Sequence, residues 1–187
     1  MNKQSFSANK LSFSTNKPQV AIIMGSDSDL EVMSEAAKVL DEFGIGYEIL
    51  ILSTHRAPDQ TAQYAKSAKA KGIKVIIAGA GGAAALPGSI ASFTPLPVIG
   101  VPVKAKSLDG IDSLLSMFQM PPGVPVAVVG INGAKNAGIL AAQIIGASDP
   151  KISKKVVEYK EKIKKEVLAK NLKVKNIGWE AYLKGKK

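Results

Sequence analysis

The sequence predicts a three-layer α/β domain, in which helices cover both faces of a parallel β-sheet and an extra helix follows at the C-terminus. Two observations support this fold class. Short apolar runs recur along the chain at Val20–Met24, Tyr47–Leu52, Lys74–Ala78, Leu96–Val101 and Val124–Val129. Between them, apolar residues recur at the spacing of an amphipathic helix. Apolar strands that alternate with helices are typical of β-α-β units, as in flavodoxin-like and Rossmann-like sheets.

The helices between these strands are predicted from their terminal residues. Ser28 and Glu31 match a capping box at the start of the first helix, and Gly44 lies where that helix ends. Pro58 suits the first position of the second helix. The further helices are predicted at Leu108–Phe118, Gly133–Ile145 and Lys151–Lys170.

The length of the chain indicates one domain, because 187 residues can bury one substantial core. Residues 20–170 are predicted to form this single α/β domain. Residues 1–19 are rich in Ser, Asn and Lys, so we expect a disordered or targeting extension there. Residues 171–187 form a Lys-rich C-terminal tail. No apolar run approaches the roughly 20 residues of a membrane helix, so we expect a cytoplasmic protein, with organellar targeting left open.

The net charge of +10 is concentrated at the two ends of the chain. Residues 1–19 hold three lysines and no acid, and residues 151–187 hold thirteen lysines against four glutamates. The segment between them is close to neutral and offers no aromatic platform for bases, so we expect no nucleic-acid partner. The chain has no cysteine and one histidine, which excludes Cys-based metal sites and argues against His-based ones.

The loops that follow the strands are the candidate functional site, because parallel α/β folds bind ligands outside the carboxyl ends of their strands. The loop after the first strand reads Gly25-Ser-Asp-Ser-Asp29 and opens a helix. Its backbone N–H groups and the Ser26 hydroxyl suit a phosphate oxygen, and its aspartates suit sugar hydroxyls. The alternative is that these residues only cap the helix.

The chain's single histidine and single arginine, His55 and Arg56, are adjacent in the loop after the second strand. Arginine makes bidentate contacts with phosphate or carboxylate, and histidine can exchange a proton near neutral pH. The alternative is a loop histidine satisfied by the backbone beside a surface arginine. Their position at the carboxyl end of a strand favours a functional role.

The loop after the third strand is rich in glycine and reads Gly79-Ala-Gly-Gly-Ala-Ala-Ala-Leu-Pro-Gly88. Such a loop lets the backbone approach a small ring or a carboxylate closely. The spacing Gly79-x-Gly81-x-x-Ala84 is a weak match to a dinucleotide fingerprint, because it follows the third strand rather than the first. Close packing of a helix on the strand is the alternative explanation.

Six ordered motifs resemble one family, the class I N5-carboxyaminoimidazole ribonucleotide mutases of purine (IMP) biosynthesis. The resemblance covers about Val20 to Lys170. Its motifs are MGSDSD, STHRAPD, VIIAGAGGAAALPG, PVIGVPV, DSLLSMFQMPPGVPVA and NAGILAAQII.

The resemblance implies a reaction without metal, nucleotide or organic cofactor. Carboxylate leaves N5 of the substrate as CO2, which stays trapped until ring carbon C4 attacks it and loses its proton. His55 matches the catalytic general acid/base of the family. A homo-octamer, in which the C-terminal helix reaches a neighbouring subunit, is implied as well. The implied contacts with the ribonucleotide substrate are Ser26, Asp29, Ser53, Arg56, Gly79, Gly81, Gly82 and Ala83.

One position departs from the family pattern. Class I members usually read GGAAHLPG, whereas this chain reads GGAAALPG, with Ala85 in place of a pocket histidine. The departure leaves two alternatives open, a class II carboxylase that uses free CO2 and a catalytically weakened mutase. A flavin-binding electron carrier and a non-catalytic binding protein are rivals from other classes. The loops offer no aromatic residues to flank a flavin, and a binding protein would not require His55.

Overall fold

The computed structural model describes residues 17–185. Most of the predicted N-terminal extension, up to Asn16, lies outside the described residues, as do Lys186 and Lys187. The strands are β1 (Val20–Met24), β2 (Tyr47–Ile51), β3 (Val75–Ala80), β4 (Val98–Pro102) and β5 (Ala127–Val128). The helices are α1 (Leu30–Phe43), α2 (Pro58–Ala68), α3 (Leu86–Phe93), α4 (Ile111–Phe118), α5 (Ala134–Gly146), α6 (Pro150–Ile177) and α7 (Trp179–Lys184).

The strands form one sheet in the order β2-β1-β3-β4-β5, and every neighbouring pair is parallel. In β1, Val20 pairs with Tyr47 of β2 on one side and with Val75 of β3 on the other. The chain therefore starts in the interior of the sheet, adds β2 on one side and continues on the other. The predicted parallel α/β sandwich is confirmed.

Two apolar cores lie on opposite faces of the sheet, because successive side chains of a strand point to opposite sides. Ile22 and Met24 of β1 belong to the core that α1, α5 and the start of α6 cover. Ala21 and Ile23 belong to the other core, with side chains of α2, α3 and α4. All four β1 side chains are fully buried. This burial on both faces explains why the strand reads as a continuous apolar run.

Two predicted segments differ from the structure. The predicted strand Val124–Val129 pairs only over Ala127 and Val128, since Pro125 has no N–H group to donate to a sheet. The glycine-rich loop ends at Ala85, and Leu86 begins α3, a helix that the sequence analysis did not predict. Its eight residues are too few to show a clear helical period.

The predicted capping box at the start of α1 is not formed. Residues Asp27–Asp29 instead make a turn of 3-10 helix, and α1 begins at Leu30. The Ser26 hydroxyl oxygen accepts a hydrogen bond from the Ser28 backbone N–H at 3.3 Å, so the cap lies two residues earlier. At the other end Gly44 closes α1 in the left-handed conformation, with φ of 67°, as the sequence predicts.

The long helix α6 begins on the domain and then leaves it. The Asp149 carboxylate caps its first turn by accepting hydrogen bonds from Lys151 N and Ile152 N at 2.9 and 3.3 Å. Ile152 and Val156 are buried against the domain. Beyond Lys160 almost every residue of α6 is exposed, and the helix extends past the predicted end at Lys170. Among the described residues no helix is long and apolar enough to cross a membrane.

Candidate active site

A cleft of about 1050 Å³ lies at the carboxyl edge of the sheet. Its walls come from the loops that follow β1, β2, β3 and β4, from Glu31 and Val32 in the first turn of α1, and from one residue of the β5–α5 loop. The chain changes direction across the sheet between β1 and β3, and such a switch point is where parallel sheets leave a crevice for ligands. The cleft therefore lies where the fold class predicts a binding site.

The β1 loop contributes Ser26, Ser28 and Asp29 to the cleft. The Ser28 hydroxyl donates to the Asp29 carboxylate at 3.2 Å, which fixes the orientation of that carboxylate. Burial raises the pKa of Asp29 above its usual value, although hydrogen bonds from Ser28 and the Ser26 backbone act in the opposite direction. Asp29 is thus an oriented acceptor that suits a ligand hydroxyl.

The β2 loop brings His55 and Arg56 into the cleft as exposed side chains. Ser53 shapes this turn. Its hydroxyl oxygen accepts from Arg56 N at 3.3 Å, and its carbonyl accepts from Ala57 N at 2.7 Å. The Arg56 guanidinium donates to the carbonyl of Gly25 at 2.6 Å and so joins the β2 loop to the β1 loop. This link holds the positive charge of Arg56 next to the β1 loop, whose Ser26 and Ser28 line the same cleft.

A second link to the histidine loop was not found in the sequence. The hydroxyl groups of Thr54 and Ser89 lie 2.7 Å apart and form a hydrogen bond between the β2 loop and α3. Thr54 immediately precedes His55, so the bond restricts the turn that carries the imidazole. No local pattern could have indicated it, because 35 residues separate its two partners.

The glycine-rich loop contributes backbone to the cleft. Gly81 and Gly82 line it, and Gly82 has a φ of 63°, a conformation that side chains other than glycine rarely adopt. A Cβ atom on Gly81 would lie 3.3 Å from the carbonyl oxygen of Val103, which is tighter than an ordinary contact. The path of the loop therefore favours glycine at both positions, through the backbone conformation at Gly82 and through the close approach of Val103 at Gly81.

Two of the residues implied as substrate contacts do not line the cleft. Ala83 is exposed and lies outside it. Gly79 lies within β3, where a Cβ atom would come within 2.3 Å of the Met33 sulfur. Met33 is a fully buried residue of α1, so Gly79 has a packing role: it lets α1 lie close to the sheet.

We expect Gly79→Ala to lower the melting temperature by about 5 °C, because overpacking a buried contact costs about 1–3 kcal/mol. Thermal unfolding measures the shift. Gly130→Ala is the matched control, since a Cβ atom there meets nothing within 4 Å, and its melting temperature should not change. A Gly79→Ala variant of unchanged stability would contradict the packing role.

Ala85 belongs to the wall of the cleft that the β3–α3 loop forms. It lines the cleft, is exposed, and is the residue immediately before the first turn of α3. No side-chain donor or acceptor reaches the cleft from the β3–α3 loop, because its lining residues are glycines, alanines and a leucine. A polar group on this wall would have to come from position 85.

The β4–α4 loop and Asn132 form a wall that the sequence analysis missed. Lys104 and Lys106 line the cleft, and the Asn132 side-chain oxygen accepts from Lys104 N at 2.9 Å. Asn132 has a φ of 55°, a conformation that asparagine tolerates. In the sequence these lysines resemble ordinary solvated residues. The only signal that could have indicated their role is that their loop, like the other three, follows a strand.

No group of three or more His, Asp and Glu side chains within residues 17–185 could hold a metal ion. The groups able to act on a ligand are one imidazole, one guanidinium, two ammonium groups, the carboxylates of Asp29 and Glu31, the Asn132 amide and several hydroxyls.

A parallel α/β sheet with a cationic cleft at its switch point is typical of enzymes that bind small phosphorylated ligands. The comparisons with known proteins identify the family within that class. The family model described as AIR carboxylase matches residues 19–166. The chain belongs to the AIR carboxylase family, and the predicted family resemblance is confirmed.

Two relatives and one solved structure show how much of the chain the similarity covers. The N5-carboxyaminoimidazole ribonucleotide mutase of Thermotoga maritima is 63% identical over 169 residues, which are 90% of this chain and 99% of the relative. The enzyme of the same name from Pyrococcus horikoshii is 57% identical, over 92% of this chain and 98% of the relative. A crystal structure of Treponema denticola PurE superposes with a TM-score of 0.78 at 33% identity, covering 85% and 99% of the two chains. The Thermotoga alignment is longer than residues 20–170, so it includes part of the ends.

Proposed function

We propose that the protein is an N5-carboxyaminoimidazole ribonucleotide mutase that acts in purine biosynthesis. The observation that carries the proposal is the position of His55, the only histidine in the sequence, in the cleft beside Arg56. The mutase names of the Thermotoga and Pyrococcus relatives support this reaction over the carboxylase alternative.

The ribonucleotide would bind with its phosphate between the β1 and β2 loops. Arg56 supplies the charge and Ser26 a hydroxyl, and both line the cleft. The carboxylate of Asp29 is held by Ser28 and can accept hydrogen bonds from ribose hydroxyls. In this pose the imidazole ring of the ligand would lie toward the glycine-rich loop, with His55 between the ring and the phosphate.

The reaction needs a proton to be donated in its first step and removed in its second, and one side chain can do both. Protonated His55 donates its proton to N5 as the N5–carboxyl carbon bond breaks, and the bonding pair of electrons stays on nitrogen. This gives aminoimidazole ribonucleotide, CO2 and neutral His55. Ring carbon C4 then attacks CO2, and His55 removes the C4 proton, which restores the aromatic ring and the protonated imidazole. One histidine can serve in both steps because the proton released in the second step equals the proton consumed in the first.

The glycine-rich loop would hold CO2 by enclosure. CO2 is small and carries no charge, so few protein contacts can hold it. It stays near C4 only if the walls of the cleft lie close on every side. Gly81 and Gly82 let the backbone reach the ring without an intervening side chain. No cofactor or metal enters any of these steps.

The proposal is tested by incubating the purified protein with N5-carboxyaminoimidazole ribonucleotide in the presence of EDTA and without ATP. We expect 4-carboxyaminoimidazole ribonucleotide to form. The proposal fails if only aminoimidazole ribonucleotide accumulates, at the rate seen without protein.

The assembly expected for this enzyme is a homo-oligomer, namely an octamer. Its support is the part of α6 that extends beyond the domain, where Ile163, Val167 and Leu172 are 41%, 63% and 60% exposed. A second copy of the chain would cover such a surface. Sedimentation velocity measures the mass of the particle, and a monomer would contradict the octamer. The cytoplasmic location stays a prediction.

A further inference from the structure

The cleft has cationic side chains on two opposite walls. Arg56 lies on the wall formed by the β1 and β2 loops, and Lys104 and Lys106 lie on the wall formed by the β4–α4 loop. The sheet order places the glycine-rich β3 loop between these walls. A ligand that crosses the glycine-rich loop therefore meets positive charge at both ends.

The lysine wall is attached directly to the glycine-rich loop. Val103 N donates to the carbonyl of Ala80 at 2.9 Å, which continues the pairing of β3 and β4 into the loops. A Cβ atom on Gly81 would lie 3.5 Å from the Cβ atom of Ala105. Lys104 and Lys106 flank Ala105, so both begin beside the backbone that would enclose the imidazole ring.

The two lysines differ in their partners. The Lys104 ammonium forms an ion pair with Asp109 at 2.7 Å. Its backbone is also fixed, because Lys104 N donates to Asn132. The Lys106 side chain has no hydrogen bond or ion pair within the part of the chain that the structure describes. Of the two, Lys106 is therefore the cation that remains available to a ligand.

We propose that Lys106 binds the carboxylate of the substrate, at the end of the cleft opposite Arg56. The inference rests on the proposed function, whose substrate carries a phosphate and a carboxylate at its two ends. Arg56 accounts for the phosphate, and the β3–α3 loop offers the carboxylate no polar side chain. Lys106 supplies the missing counter-charge, which makes it a residue that determines specificity for the carboxylated nucleotide.

The contact has a kinetic signature. As the N5–carboxyl bond breaks, the carboxylate loses its charge and becomes CO2, so an ammonium group stabilises the bound substrate more than the transition state. Removing the ammonium should raise KM without lowering kcat. A residue that merely supported the loop would instead lower kcat or the stability of the protein.

The test compares Lys106→Gln with the wild type and with Lys69→Gln, a change of an exposed lysine outside the cleft. Calorimetry measures binding of 4-carboxyaminoimidazole ribonucleotide and of aminoimidazole ribonucleotide, which lacks the carboxylate. We expect Lys106→Gln to weaken binding of the carboxylated nucleotide about tenfold and to change the other less than twofold. Lys69→Gln should change neither.

Equal affinity of the wild type and Lys106→Gln for the carboxylated nucleotide would overturn the inference. Equal weakening of both nucleotides would also overturn it, because the contact would then be with the shared phosphate or ribose. If the wild type binds neither nucleotide, the proposed function fails and the inference fails with it. If the wild type binds both nucleotides and Lys106→Gln binds each of them with the same affinity as the wild type, the inference fails and the proposed function stands.

Discussion

Replacing His55 with asparagine is expected to lower kcat by roughly 10²–10⁴-fold, which is the usual contribution of a positioned general acid/base. Asparagine keeps a polar side chain of similar size but cannot carry a proton between N5 and C4. The measurement is single-turnover conversion of N5-carboxyaminoimidazole ribonucleotide by the wild type and by His55→Asn. Because His55 is exposed, the two proteins should unfold at the same temperature.

Nucleotide binding by His55→Asn shows whether a loss of turnover comes from the missing proton carrier or from a disrupted site. Arg56, Ser26 and Asp29 are untouched, so the affinity of the variant for 4-carboxyaminoimidazole ribonucleotide should stay within a few-fold of the wild type. Turnover retained in His55→Asn would show that another group moves the proton. The carboxylates of Asp29 and Glu31 and the ammonium groups of Lys104 and Lys106 are the other side chains of the cleft that could exchange one.

Replacing Ala85 with histidine is expected to raise kcat about 100-fold, within the range of a second acid/base group. Ala85 is exposed and lines the cleft, so an imidazole can be added there without displacing the core. Its place before the first turn of α3 favours the neutral imidazole, because the positive end of a helix opposes a positive charge. The same single-turnover assay measures the gain.

Ala85→Asn is the matched control for this gain. Asparagine adds a polar side chain at the same position but cannot transfer a proton, so its kcat should stay near that of the wild type. An equal gain in both variants would mean that position 85 acts by hydrogen bonding alone. No gain in Ala85→His would mean that this chain handles its protons without a histidine on the β3–α3 loop.

The sequence predicts the fold and the main loops of the site, because both depend on local patterns. The buried β1 reads as an apolar run, and the loops that carry Ser26, His55 and Gly81 follow strands directly. A parallel sheet then brings those loops to one edge without further information.

The parts that were missed depend on contacts between distant segments. Helix α3 is short and starts within a Gly/Ala-rich stretch, so its apolar residues show no clear helical spacing. Packing of Ile90 in the core stabilises it instead. The Thr54–Ser89 hydrogen bond joins residues that are far apart in the chain. The family resemblance implies a ligand contact for Gly79, and its close approach to Met33 exists only once α1 packs on β3.

The central claim is that the carboxyl group moves within one substrate molecule, and a label tests this most directly. Wild-type protein, at a concentration comparable to that of the substrate, is mixed with N5-carboxyaminoimidazole ribonucleotide whose carboxyl carbon is ¹³C, in buffer containing unlabelled bicarbonate and EDTA. The account predicts 4-carboxyaminoimidazole ribonucleotide that retains most of the label, because CO2 stays enclosed beside C4. Product formed without the label would contradict it and indicate a carboxylase that draws on free CO2.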